Sequence, residues 1–192
     1  EDAYARLGYQ TEFIQMPQRR GLMALSADKV DADVMRLRAV AESTPNSVIV
    51  PNFSIRTTAV LLCRKTIPCN QGELFNSGNK VVSVNLFERI IREHYKDRFK
   101  AQLHNYDTLS TPIALLEKGR IDYALNVFEA TQLPTNVRHF ATVLPLFETE
   151  AVHVVHAGRL ALVGDLSRVL NALAPHYLSA GGELQSEQES VQ

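Results

Sequence analysis

The sequence predicts an α/β protein. Short apolar, β-branched runs alternate with stretches of helical period, and the alternation continues along almost the whole chain. Such alternation is the pattern of strands joined through helices in a largely parallel sheet. Composition allows it, since 192 residues at 45% hydrophobic can bury one large core or two small ones.

Taken in order, residues 2–7 read as the end of a helix with Gly8 at its C-cap. Residues 11–16 read as a strand, and Pro17 opens a helix running to about 27. A strand follows at 29–35, then a short helix at 39–43 that stops before Pro45. Residues 48–50 and the long run 55–64 are extended, whereas 70–79 is loop-like and rich in Asn and Gly. Beyond it come a strand at 81–84, an amphipathic helix at 87–99 and a strand at 101–105. A helix at 109–118 ends at Gly119, and a strand spans 121–126. A short helix near Glu129, a strand at 139–143, extended chain at 150–155 and a helix at 162–173 complete the order. The Gly, Ser, Glu and Gln tail after Ala180 reads as disordered.

One internal echo bears on domain organisation. Residues 11–35 run strand, helix, then Lys-Val-Asp-Ala-Asp-Val; residues 101–126 run strand, helix, then Gly-Arg-Ile-Asp-Tyr-Ala-Leu. Each is a βαβ unit, and two of them suit either two similar lobes or one α/β domain with several such units.

Charge and cysteines narrow the function. The net charge of −1 and the lack of a dense Lys/Arg cluster argue against a nucleic-acid partner. The longest apolar runs, such as Thr57 to Leu62 and Val152 to Val155, are strand-sized and too short to span a membrane. No secretory leader is read at Glu1-Asp2-Ala3-Tyr4, which suits a cytoplasmic, a mature secreted or a trimmed protein alike. Cys63 and Cys69 flank Ile67-Pro68, and are either a bridge around a proline turn or two unrelated thiols. The six His residues lack ligand spacing, so no metal and no cofactor is expected.

Several strings in this order resemble the bacterial extracellular solute-binding proteins of family 3, the type II periplasmic binding protein group. "YARLGYQTEFIQMPQRRGLMALSADKVDADVMRL" resembles the first lobe, "SIRTTAVLLCRK" the strand crossing into the second, and "YDTLSTPIALLEKGRIDYAL" a second-lobe element. "AGRLALVGDLSRVLNAL" resembles the closing helix that returns to the first lobe. The resemblance implies two Rossmann-like α/β lobes joined by two crossing segments, with residues 1–62 and 148–192 in lobe one and 63–147 in lobe two. The crossings are expected near 55–64 and 144–152, and one continuous sheet through both βαβ units would contradict that division.

Three departures from the family accompany it. Asn126-Val127 stands where amino-acid binders carry an Asp for the ligand's amino group, which argues against an ordinary α-amino acid. Asn85-Leu86-Phe87 replaces a loop that usually supplies a Gly. The family's first strand of lobe one is missing, which would leave backbone groups unpaired unless the strand is supplied otherwise.

Ligands of open parallel sheets sit beyond the carboxyl ends of the strands. That rule selects Gln18, Arg20, Arg36, Phe53, Asn85 and Asn126 as ligand-binding candidates. Arg36 is the sharpest, because a guanidinium directly after a buried strand is costly without a partner and clasps a carboxylate well. The alternative is a structural pair with Asp33. The expected function is capture of a small polar or anionic solute by a periplasmic monomer, for an ABC-type membrane permease. A sensor or regulatory domain is the runner-up. An enzyme is the third class, its only acid/base candidates being Asp107, Glu129 and Glu148.

Overall fold

The computed structural model describes residues 1–84, 87–108, 110–129 and 137–179. The expected loop at Asn85-Leu86, the short helix following Glu129 and the tail after Ala180 lie outside them. Six strands form one sheet in the order β1-β6-β2-β5-β3-β4: β1 (Ala32–Leu37), β2 (Ser47–Arg64), β3 (Lys80–Val84), β4 (Gln102–Tyr106), β5 (Tyr123–Glu129) and β6 (Ala141–His156). The helices are α1 (Asp2–Arg6), α2 (Gln18–Ser26), α3 (Arg38–Glu42), α4 (Phe87–Tyr95), α5 (Ser110–Glu117), α6 (Val137–Phe140) and α7 (Val163–Ser179).

β2 and β6 organise the molecule. They pair antiparallel from Ser47↔His156 to Arg64↔Ala141, with register shifts between Ile49 and Ser54 and between Ala59 and Val60. The two crossing segments read from the sequence are parts of these strands, and the boundaries at 62/63 and 147/148 fall inside them. The sheet is therefore continuous from β1 to β4, not interrupted between two units. The first βαβ unit is incomplete in it, because residues 11–16 form no strand. Their alternation has no neighbouring strand with which to close a ladder, and isolated strand propensity does not hold an extended segment in a sheet. The strand expected at 121–126 extends further, to Glu129, which pairs with Thr57 in β5.

The helices gather around the two ends of this sheet and cover both faces at each. At one end α1 and α7 pack with Val50 and Val155, while Leu25 of α2 and Ala41 of α3 pack with Val152 and Val154. At the other, Ala59, Leu61 and Cys63 of β2 face α4, whereas Val60 and Leu62 face Leu116 of α5 and Val137 of α6. A strand buried on both faces reads as an unbroken apolar run, which explains 59–63. Helix α4 shows the complementary pattern. Phe87, Ile90, Ile91 and Tyr95 recur at helical spacing and are buried, while Arg89–Glu93 and Arg92–Glu88 pair on the solvent side.

Cys63 and Cys69 are bridged, with Pro68 inside the closed loop. Cys63 is fully buried at the end of β2, so the bridge ties the 65–70 turn to the core. For so short a loop, reduction is expected to cost about 2 kcal/mol through restored freedom of the unfolded chain. Urea unfolding with and without reductant measures that difference, and thiol titration of the unreduced, denatured chain should find no sulfhydryl.

Candidate functional site

Strand directions locate the site. β5 and β6 run antiparallel to β2, β1 runs antiparallel to β6, and β3 runs parallel to both β4 and β5. The carboxyl ends of β1, β3, β4 and β5 consequently all point to the middle of the molecule, between the two groups of helices. Ligands of such sheets bind at this place.

On one face the junction is closed by contacts across it. Arg89 of α4 donates from Nη2 to the carbonyl of Ala39 in α3 at 3.1 Å, next to Arg38, which donates to Glu150 on its own side at 2.7 Å. Val40 of α3 belongs to the same apolar cluster as Phe87, Ile90 and Ile91 of α4. His94 stacks on Phe147 with ring centroids 3.9 Å apart. On the other face lies a depression of about 270 Å³ lined by Thr58, Phe128, Glu129, Pro145, Phe147 and Glu148. Thr58, Phe128 and Glu148 are paired in register and share this face, where a carboxylate beside an aromatic ring attracts a cation, whereas the Phe147 ring lies on the other face against His94.

A larger groove, about 920 Å³, runs beside β1 at the end that carries α1 and α7. Its floor holds a buried relay: the Tyr4 hydroxyl meets His153 Nε2 at 2.7 Å, and His153 Nδ1 meets the carbonyl of Val34 at 3.2 Å. Burial, aided by the Asp31 charge, pushes the Tyr4 hydroxyl up to about 12. Burial pushes the His153 imidazole below its ordinary 6.5, against the opposing pull of the Val34 carbonyl and Asp33. The unfolded chain thus takes up this proton before the folded one does. The contribution of His153 is complete above about pH 6.5 and is lost as pH falls through its lowered folded value. Melting temperature measured from about pH 7 down to about pH 5 should fall, and His153→Gln should flatten that limb.

The six residues selected from the sequence do not come together in one cluster. Arg36 and Phe53 both line the groove beside β1. The Arg36 guanidinium is paired with Asp33, its Nε donating at 3.0 Å, and its side chain is only 11% exposed. The pair lies against Gly21 of α2. Gln18 and Arg20 stand on the first turn of α2, half-buried and exposed respectively. Asn126 is buried within β5 opposite Val60, where its side chain accepts from the N–H of Val127 at 2.8 Å. Asn85 lies outside the described residues. Sequence reasoning missed Phe128 and Phe147 and read the two glutamates only as acid/base candidates; the legible signal for these residues was position beside a strand end or a crossing, not residue type. Glu129 and Glu148, read as acid/base candidates, both line the depression, from neighbouring register positions that alternate in face, whereas Asp107 does not line it. Among the described residues no group of His, Cys, Asp and Glu could hold a metal ion, and no helix is long and apolar enough to cross a membrane.

No protein-family model matches the chain, and no curated protein matches it by sequence. Solved structures do match. ArgBP from T. maritima in its holo form superposes over 94% of this chain and 80% of its own, at 16% identity and a TM-score of 0.70. The substrate binding protein of an amino acid ABC transporter covers 91% and 79% at 16% identity, with a TM-score of 0.71. A histidine kinase sensor domain with similarity to periplasmic binding proteins covers 94% and 80% at 18% identity, with a TM-score of 0.69. The chain has the type II periplasmic binding protein-like fold.

Proposed function

We propose that this chain is a solute-binding module that takes a small, positively charged polar solute at the junction between its two groups of helices. The observation that carries this reading is the depression where Glu148 shares a sheet face with Phe128, at the convergence of the strand ends. The anionic solute expected from the sequence rested on Arg36, and Asp33 already occupies that guanidinium. Neighbours of the same fold described as arginine-bound lend support to a cationic solute.

In this reading the chain is divided as 1–62 with 148–192 against 63–147, and β2 and β6 act as the hinge. Their register breaks are sites where strands bend with little loss of pairing, and the Arg89–Ala39 contact crosses the junction. The Cys63–Cys69 bridge suits an oxidising compartment, which supports a periplasmic location. The proposed partner is a membrane permease of the ABC type. A sensor role is the second reading, favoured by the likeness to the histidine kinase sensor domain. Binding rather than catalysis is the activity proposed.

Thermal shift with arginine, lysine and putrescine against glutamate, citrate and glucose tests it. A cationic solute at 100 times its dissociation constant should add about 2.7 kcal/mol of apparent stability. Glu148→Gln should weaken that shift while leaving the unliganded melting temperature unchanged. A shift with the anions alone would overturn the assignment.

A further inference from the structure

The strand directions that bring carboxyl ends to the junction also gather a second set of connections, at the far end of the same sheet. There β2 finishes, with Arg64 opposite Ala141 and Cys63 opposite Tyr123. There too β3, β4, β5 and β6 begin, with Lys80 beside Gln102 and Val81 beside Tyr123. Five connections that are scattered between residues 64 and 138 in sequence thus form one pole of the molecule.

Its charges are unbalanced. The turn after β2 carries Arg64 and Lys65, the start of β3 carries Lys80, and the approach to β4 carries Lys96, Arg98 and Lys100. Between α5 and β5 stand Lys118 and Arg120, and α6, directly before β6, adds Arg138. These nine cations, all exposed except Arg64, face four carboxylates in a chain whose net charge is −1. Two of the four are engaged: Asp122 pairs with Arg64 at 2.7 Å, and Glu73 accepts from Asn70, Asn79 and the Tyr123 hydroxyl. Asp97 and Glu117 are the others. Arg98 lies over the Phe75 and Tyr95 rings. Among the described residues, the remaining seven cations make no ion pair. Fixed charges of one sign at one pole raise a positive potential there.

The pole is a broad cap. Five neighbouring strands, about 4.8 Å apart, make it roughly 20 Å wide. Its apolar residues turn inward: Leu74 and Val137 are buried, and Ile67 and Phe75 pack against the core. The Cys63–Cys69 bridge and the N–H groups of Lys100 and Ala101, which donate to the Leu74 carbonyl, fix the backbone beneath the charges. Most of the unpaired cations are lysines, compact hydrated charges that attract at a distance instead of clasping one acceptor geometry. Such a cap suits an anionic plane with no fixed pattern of its own. Single-stranded nucleic acid would call for a groove with aromatic rings to stack on, and neither depression described above lies at this pole. We infer that the pole is a docking surface for an anionic phospholipid membrane, to which the protein adsorbs by charge without inserting. Held in this way, the junction at the middle of the sheet stays clear of the lipid and open to solute, whichever solute that is.

Co-sedimentation with vesicles tests the inference independently of any solute. At about 0.02 M salt the protein should pellet with phosphatidylcholine vesicles containing about 30% phosphatidylglycerol, and not with phosphatidylcholine alone. At about 0.5 M salt it should be released, because screening shortens the reach of the charges. Lys96→Gln, Lys100→Gln and Arg120→Gln together should weaken binding about a hundredfold, at about fivefold for each cation near the surface. All three side chains are exposed, so the melting temperature should not change. Arg6→Gln, Lys29→Gln and Arg168→Gln remove the same charge from the other group of helices and should leave binding within about threefold. No pelleting with the anionic vesicles, equal pelleting with neutral ones, or equal losses in the two triple variants overturns the inference. So does tighter binding, at the same salt, to a short DNA duplex or to polyglutamate, which would assign the pole to a nucleic acid or to an acidic protein.

Discussion

Arg36→Ala is expected to lower stability by about 3 kcal/mol while leaving solute affinity intact. The guanidinium is 11% exposed, the Asp33 carboxylate 17%, and each is the other's partner. Removing the cation strands a carboxylate that is largely withdrawn from water, and the loss of one member of such a pair is far more damaging than the loss of both. For a chain of this length the melting temperature should fall by about 6–12 °C. The double variant Arg36→Met with Asp33→Leu should recover most of that, because no charge is then left unpaired. The opposite result, a stable variant that has lost its ligand, would restore the expectation that Arg36 grips an anionic solute. Melting temperature and solute affinity measured on the same preparation decide between them.

Phe87→Ala should cost about 3–5 kcal/mol, the range for emptying a large ring from a packed core. Phe87 is 1% exposed at the start of α4 and belongs to the cluster that contains Leu61, Ile91 and Leu125. Its position makes the result informative beyond stability. The same cluster includes Val40 of α3 from the opposite side of the junction, so the cavity opens where the two groups of helices meet. Denaturant unfolding should show a lower midpoint with an unchanged slope, since the surface exposed on unfolding is nearly the same. Met23→Ala, at a side chain 64% exposed on α2, is the matched control and should change stability by less than about 0.5 kcal/mol. A Phe87→Ala loss no larger than that of the control would mean that the junction does not depend on this ring.

Periodicity was informative wherever it reported local packing. The spacing of Phe87, Ile90, Ile91 and Tyr95 marked α4, and the unbroken run at 59–63 marked a strand covered on both faces. Both patterns depend on residues close in sequence sharing one environment. Residues 11–16 have an equally good strand pattern and form none, because a strand needs a neighbour and the pattern cannot supply one. Glu129 misled in the other direction. A charged residue after an apolar strand looks like its end, yet pairing with Thr57 carries β5 through it.

The candidate site divides the same way. Sequence alone determined the α/β class and the order of most helices and strands. Those follow from side-chain period, caps and breakers acting over a few residues. It left open whether Cys63 meets Cys69, whether Arg36 faces a ligand or Asp33, and which residues share a surface with Glu148. Only the tertiary structure decided these, bridging the cysteines, pairing Arg36 with Asp33 and setting Glu148 beside Phe128 from two different strands. The physical reason is that a charge finds its partner through the register of strands far apart in the chain, and register is set by the whole core rather than by the residues themselves.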